Sequence, residues 1–188
     1  MPVAKFKKQG DAVQLLSVEK MVEALPPEPA RGYMPEAQSD SWGTPLDLFR
    51  QLDDEFHFTL DTAASQQNTL CERFYTKEQD ALKQPWEGRV WLNPPYGREV
   101  ERWIAKARAE VDSGKAELSV LLLKSTTETI WWHKYVWDLE ADGGAGGFRP
   151  GARARFLKGR LTFDIPGQPK HGPAPFSSVV VVFTPVPA

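Results

Sequence analysis

The sequence predicts an α/β fold, a compact and mostly parallel sheet finished by an antiparallel C-terminal strand pair. Three observations predict it. Strand-like runs alternate with helix-like segments from Trp42 to Leu139, the pattern of a sheet covered by helices. Glu117 to Leu123 is a near-continuous apolar run, as in a strand buried on both faces. The chain then closes on two strand-like segments, Arg155 to Ile165 and Phe176 to Phe183, joined by Pro166, Gly167, Pro169, Gly172 and Pro173. At 188 residues, with 41% apolar and 26% charged residues, one globular domain with an added tail is the expected organisation.

The elements follow in order. Residues 1–40 read as an N-terminal appendage. It opens basic, with Lys5, Lys7 and Lys8, and Ser17 suits the cap of a short helix to Leu25. Pro26, Pro27, Pro29 and Pro35 then make a stiff linker. The compact domain occupies residues 41–188. Thr44 suits a helix cap with Pro45 at the first helical position, and the helix carries Leu46, Phe49, Leu52 and Phe56. Phe56 to Leu60 reads as a strand ending at Asp61, Phe74-Tyr75 as a small strand, and Asp80-Ala81-Leu82 as a turn that Pro85 ends. Val90 to Leu92 is a core strand, and Val100 to Val111 is a helix with Trp103, Ile104 and Ala107 inward. Thr127 to Leu139 is aromatic and helix-like, and residues 141–151 are a glycine-rich loop. Only 32 positions separate Asp61 from Asn93. Two full strand–helix units do not fit there, so a reduced sheet with short connections is expected.

Composition excludes several function classes. The net charge is −2, so any nucleic-acid contact requires a local basic patch rather than a global field. A single cysteine, Cys71, makes no intrachain disulfide and no zinc set. His57, His133 and His171 stand in unrelated contexts, which favours packing or surface roles over a metal site. No run of about 18 apolar residues predicts a membrane span, and the N-terminus lacks an apolar signal core. A reducing cytoplasm is the expected compartment.

The densest chemical signal is Asn93-Pro94-Pro95-Tyr96, placed directly after Val90-Trp91-Leu92. Neither proline can donate a ladder hydrogen bond, so the strand stops there and the backbone stays extended and stiff. That fixes the Asn93 side-chain oxygen and the Pro94 carbonyl as two acceptors beside the Tyr96 ring. Such a pair suits a planar group with an exocyclic NH2, such as adenine. The lone pair of that amine is delocalised into the ring. Two acceptors on its hydrogens draw the nitrogen towards sp3 geometry and free the lone pair, so catalysis is positioning and electrostatics. A duplex hides the amine, so the base must be flipped out. Asn-Pro and Pro-Pro also serve as ordinary turn dipeptides, so the four residues alone leave the choice open. Asp61 and Asn93 both end strands, where ligands bind in open α/β sheets.

Several motifs occur together in a fixed order. They are Trp42-Gly43-Thr44-Pro45, Leu60-Asp61-Thr62-Ala63-Ala64, Asp80-Ala81-Leu82 with Trp86, Val90 to Gly97, Trp103, and Gly159-Arg160-Leu161-Thr162-Phe163. From Ser39 to Phe183 the chain resembles the phage-type DNA N6-adenine methyltransferase family. The resemblance implies a Rossmann-like sheet, S-adenosylmethionine as methyl donor and DNA as partner. It also implies a phage or prophage protein acting in a bacterial host cell. On this resemblance Asn93, Pro94, Pro95 and Tyr96 hold the base. Trp42, Thr44 and Pro45 border the donor's methionine end. Asp61 accepts hydrogen bonds from its amino group or ribose, Ala63 lets it approach the backbone, and Asp80 pairs with its adenine amine. No metal is implied.

Arg149, Arg153, Arg155, Lys158 and Arg160 lie in one stretch without an acid. The stretch reads either as a contact to DNA phosphates or as a solvated loop. Two other functions fit parts of the chain. The Asn-Pro-Pro-Tyr geometry also suits the amide of a protein glutamine, as in release-factor methyltransferases. A DNA-binding module without turnover is the third reading, kept open by the missing glycine-rich cofactor loop. Trp131, Trp132, Tyr135 and Trp137 read first as helical core packing and second as a stacking surface.

Overall fold

A computed structural model describes residues 42–164 and 172–186. The expected helix from Ser17 to Leu25, the linker after it, Ile165 and His171 lie outside the described residues. The main sheet has six strands: β1 (Leu60–Asp61), β2 (Arg73–Phe74), β3 (Gly88–Leu92), β4 (Ala116–Lys124), β7 (Ala152–Phe156) and β8 (Ser178–Phe183). Their spatial order is β2-β1-β3-β4-β8-β7. The first four run parallel, with Leu60 opposite both Arg73 and Val90, and Leu92 opposite Leu121. β8 is antiparallel to both β4 and β7. A separate antiparallel ribbon joins β5 (Trp137–Asp138) to β6 (Gly147–Phe148). The mixed α/β sheet therefore has the parallel body and antiparallel finish read from the sequence.

The alternation of side chains along the central strands produces two cores. Val90, Leu92, Leu121, Leu123, Val179 and Val181 face α2 (Val100–Asp112) and α3 (Ile130–Tyr135). Trp91, Val120, Leu122, Val180 and Val182 face α1 (Leu46–Phe56) through Phe49, Leu52 and Phe56. A strand covered on both sides has no polar face to offer water, and β4 and β8 are apolar for that reason. Each fully buried valine or leucine contributes about 1.5–3 kcal/mol through burial.

Several boundaries differ from expectation. Phe56, shared between the expected helix and the expected strand, belongs to the helix and completes the buried face of α1 one turn beyond Leu52. His57 then ends the helix in the left-handed conformation (φ 52°), and the Asp53 carboxylate accepts the Phe58 N–H at 2.7 Å. This leaves β1 only two residues. The small strand is Arg73–Phe74 rather than Phe74-Tyr75, because Tyr75 N–H already bonds to Asp61 O (2.9 Å) at the end of that ladder. The aromatic segment is helical only over Ile130–Tyr135, and its continuation, Trp137-Asp138, pairs with Gly147-Phe148 inside the expected glycine loop. The basic strand occupies Ala152–Phe156 and stops there, so the chain from Leu157 to Phe163 is not strand.

The short connection expected between β1 and β3 is two single 3-10 turns, Lys77–Gln79 and Ala81–Lys83, in place of a helix. Asp80 joins them at φ 50°. Trp86 locks the second turn: its ring is fully buried and its Nε1–H donates to Ala81 O at 2.8 Å. The Asp80-Ala81-Leu82…Trp86 spacing is thus a folding device. Trp86→Phe removes the indole bond to Ala81 O, which keeps only the Gln84 N–H at 3.1 Å, and leaves a void, and is expected to cost about 2 kcal/mol. A shift in the urea midpoint, with the slope unchanged, measures it.

Candidate active site

Parallel register brings the strand ends together. Because β1 pairs directly with β3 and Asp61 lies opposite Trp91, Asp61 and Asn93 end adjacent strands at the same edge. Thr62 fastens this edge, since both its N–H and its hydroxyl donate to Trp91 O at 3.1 Å, and its side chain is fully buried. Thr62 was a motif letter in the sequence, and its role appears only when the two strands are adjacent.

Asn93 is held by its nitrogen. Nδ2 donates to Trp42 O at 2.6 Å and to Thr44 Oγ1 at 3.1 Å. A carbonyl can only accept, so the amide nitrogen must face Trp42 and the oxygen must face away. That oxygen, Oδ1, is buried and has no hydrogen-bond partner among the described residues. Unpaired buried acceptors are uncommon and costly, on the order of 1–3 kcal/mol, which marks this one for a ligand donor.

Trp42 and Thr44 were expected to border the methyl donor. The structure sets the Trp42 carbonyl and the Thr44 hydroxyl on Asn93. Thr44 is also not the helix cap: Pro45 takes that position, its carbonyl accepting the Phe49 N–H at 3.1 Å, and helix α1 starts at Leu46. The Thr44 hydroxyl is free to serve Asn93 for that reason.

The segment holding Asn93 is itself held by the C-terminal part of the chain. Gly43 and Asp164 form an antiparallel bridge, N–H to O at 2.7 Å and 2.9 Å. A Cβ on Gly43 would lie 2.7 Å from Asp164 O, so the approach requires glycine. Beside the bridge, Phe163 is fully buried and sets its ring edge-on to Trp42 at 5.2 Å and to Tyr96 at 6.0 Å. Phe176 completes the wall against Trp42 and Tyr96 at 5.7 Å and 5.5 Å. The two motifs most distant in sequence, Trp42 to Pro45 and Gly159 to Phe163, are therefore one structural unit.

Tyr96 is 9% exposed, and its hydroxyl donates to Leu122 O at 3.2 Å. Burial pushes its phenol well above the ordinary range. Its ring meets Phe163 and Phe176 at the edge, and the Lys124 ammonium lies over it at 5.3 Å. One face of the Tyr96 ring thus carries a cation. Pro94 is buried and Pro95 half-buried behind it.

The Asp61 carboxylate is also buried. It accepts the Ala63 and Leu70 N–H groups, each at 3.3 Å, and so shapes the 62–70 loop. Desolvation exceeds these bonds and raises its pKa to about 6. Ala63 packs at the margin of the core. Asp80 is half-exposed and paired with Lys83 at 2.8 Å, which lowers its pKa, so it does not stand free for a ligand amine. A cavity of about 440 Å³ opens beside β2, lined in part by Leu60, Tyr75, Thr76 and Gln79. The Cys71 thiol is pushed up to about 12, by burial first and by Asp61 second, and is an inert side chain.

The basic stretch divides on inspection. Arg149 is structural: its Nε donates to His133 O at 2.8 Å and its guanidinium pairs with Asp138 at 3.3 Å. Arg155 forms a two-pronged ion pair with Glu55 of α1 and lies over the Phe56 ring. Sequence reading found no acid nearby because these partners lie 11 and 100 positions away. Arg153, Lys158 and Arg160 are exposed and in no ion pair among the described residues. Trp131 and Trp132 are buried in the core as the packing reading held. Among the described residues no group of three or more His, Cys, Asp or Glu is arranged to hold a metal, and no helix is long and apolar enough to cross a membrane.

Comparison with known proteins identifies a family. A family model described as DNA N-6-adenine-methyltransferase (Dam) matches residues 31–173. A DNA N-6-adenine-methyltransferase of Escherichia phage T1 is 30% identical over 149 residues, 72% of this chain and 61% of the relative. Another of that name from Haemophilus phage HP1 (strain HP1c1) is 33% identical over 100 residues, 52% of this chain and 57% of the relative. The matched part thus spans about three-fifths of these relatives.

The raised Asp61 pKa has a sign that can be tested. The folded state binds the proton more tightly than the unfolded chain, so Asp61 contributes destabilisation as pH rises from its ordinary value, 3.8, to about 6, and none further above. The contribution is about 3 kcal/mol at 1.36 kcal/mol per unit. Urea unfolding across this window is expected to show the decline, and Asp61→Asn is expected to flatten it.

Proposed function

Because this chain belongs to the DNA N-6-adenine-methyltransferase (Dam) family, we propose that it transfers a methyl group from S-adenosylmethionine to the N6 amine of adenine in DNA. The observation that carries the reading is the one-sided satisfaction of Asn93. Its nitrogen is bound twice and its buried oxygen not at all. An exocyclic amine supplies the missing donor. With the Pro94 carbonyl as second acceptor, the N6 hydrogens are fixed and the lone pair is directed out of the ring plane. The amine nitrogen takes the methyl carbon as the carbon–sulfur bond breaks, and its extra proton then leaves to water. No strong general base is needed.

The residues at the β1 edge fit the donor. Asp61 is a buried carboxylate with acceptor capacity beyond its two backbone bonds, suited to a hydroxyl or an ammonium, and the small Ala63 lies next to it. When bound, the donor supplies an electrophilic methyl on a sulfonium. This chain's part is to orient it and to keep Asn93 rigid through Trp42, Thr44 and the Gly43–Asp164 bridge. The adenine must be flipped from a duplex to reach Asn93. We assign DNA phosphate contact to Arg153 and Lys158, two of the three charges in this stretch that no carboxylate among the described residues neutralises. Action on DNA inside a phage-infected or prophage-bearing bacterium, with residues 1–40 as an appendage to a 41–188 catalytic domain, completes the reading.

Incubation with labelled S-adenosylmethionine and either DNA or a release factor tests the reaction. Label is expected in DNA, resistant to protease and recovered as N6-methyladenine. Label in protein alone would instead identify a glutamine N5-methyltransferase, and DNA binding without label an inactive module. Asn93→Ala is expected to lower kcat by at least about 100-fold while donor binding, measured by calorimetry, persists. Turnover retained in that variant would refute its role. Each neutralised phosphate contributes about 0.9 to the slope of log affinity against log salt on duplex DNA. The Arg153→Ala, Lys158→Ala double variant is therefore expected to lose nearly two units of slope. An unchanged slope would return both residues to the solvated surface.

A further inference from the structure

We propose that Lys124 is a further substrate-binding residue, one that takes a phosphate of the target nucleotide beside Asn93. The inference deepens the reading above and rests on it.

Lys124 is the last residue of β4. In sheet order β4 stands on the opposite side of β3 from β1, so Asp61, Asn93 and Lys124 are on three consecutive parallel strands, with Asn93 between the other two. If the donor lies at Asp61 and the reacting amine at Asn93, the remainder of the nucleotide extends towards β4. A cation at that end faces DNA rather than the donor.

The environment of Lys124 suits an absent anion. Its side chain is held between aromatic rings, Nζ 4.5 Å from the centre of Phe176 and 5.3 Å from that of Tyr96. Among the described residues no carboxylate pairs with it, and burial alone lowers its pKa. Two aromatic faces offset only part of the cost of desolvating a charge. Directly opposite on β8 is Ser178, 1% exposed, with a buried hydroxyl that has no hydrogen-bond partner among the described residues. A cation without a carboxylate and a buried hydroxyl without a partner, on facing strands, are the donor set of an oxyanion site. A cavity of about 230 Å³ opens there between Tyr96, Gly97, Val100, Lys124, Thr126 and Trp131.

Entry of the nucleotide supplies the partner. The ammonium occupies the Tyr96 face that a stacked base needs, so the base must displace it. The phosphate that arrives with the base receives the displaced charge.

The test uses oligodeoxyadenylate, which presents the target without the cost of flipping. Binding is followed by fluorescence anisotropy through a salt series, donor binding by calorimetry, and methyl transfer by label. Lys124→Gln is expected to weaken the oligonucleotide about tenfold and to lower the salt slope by about 0.7, one phosphate on a single strand. Lys124→Arg is expected to keep the slope, and donor affinity is expected to stay unchanged in both. Should Lys124→Gln fail to fold, Lys124→Met keeps an apolar stem against the rings and serves the same comparison. An unchanged slope in the neutral variants would overturn the proposal. So would a loss of donor affinity, which would assign the ammonium to the donor's carboxylate. Failure of the wild-type chain to methylate DNA would defeat the reaction proposed above, while the slope comparison still decides the anion at Lys124.

Discussion

The orientation of one amide governs this site. Trp42 O and Thr44 Oγ1 take both hydrogens of Asn93 Nδ2, and a carboxamide so held can present only its oxygen elsewhere. The rest of the molecule can be followed outward from that constraint. Trp42 O is fixed because Gly43 bridges Asp164. Asp164 is fixed because Phe163 is fully buried among Trp42, Tyr96 and Phe176. Tyr96 is fixed by its bond to Leu122 O, in the middle of the most deeply buried strand pair. A rigid acceptor is needed where catalysis consists of placing an amine, and a chain of packed aromatics supplies that rigidity without a large domain.

What the sequence discloses depends on the range of the interaction. The β4 and β8 strands, α2 and the Asn93 turn are legible because their signals are local: a run of apolar residues, a 3.6-residue period, a pair of prolines. Phe56 falls in both the expected helix and the expected strand because a phenylalanine at a helix end and one at a strand start look alike. The left-handed His57, which separates the two, has no unmistakable signature. Thr44 was misread for the opposite reason. Its position before proline is a cap signal, and only the tertiary neighbour Asn93 overrides it. Lys124 carried a faint signal that went unused: it is the first polar residue after an apolar run, as Asn93 is.

The charged residues show the same limit more sharply. Five cations without an intervening acid read as one patch. In space Arg149 bonds across the β5–β6 ribbon and Arg155 reaches α1, so two of the five have structural partners. Charge that is already paired attracts a phosphate weakly, since binding must first break the pair. A linear charge cluster therefore overstates a patch, and among the described residues the stretch keeps only Arg153, Lys158 and Arg160 unpaired. On the reading proposed above, a net charge of −2 makes affinity for DNA in general modest.

Modest general affinity alters what the strand ends must do. On the reading proposed above, a chain that gains little from the backbone along a long stretch of DNA must hold the flipped nucleotide itself, or the base returns to its stack faster than it reacts. The parallel register provides for this at almost no cost in chain length. Four strands in order β2-β1-β3-β4 align their ends, and the ends of β1, β3 and β4 each supply one polar residue. Asp61 sits with the 62–70 loop, Asn93 with the Trp42 wall, and Lys124 with Ser178 across the antiparallel pair. The antiparallel finish matters here. A parallel neighbour would have required a crossover connection over this edge, whereas β8 starts at the site and opposes Ser178 to Lys124 directly. The reduced sheet thus keeps the edge that a ligand needs and dispenses with the helices that a larger α/β domain would place between its strands.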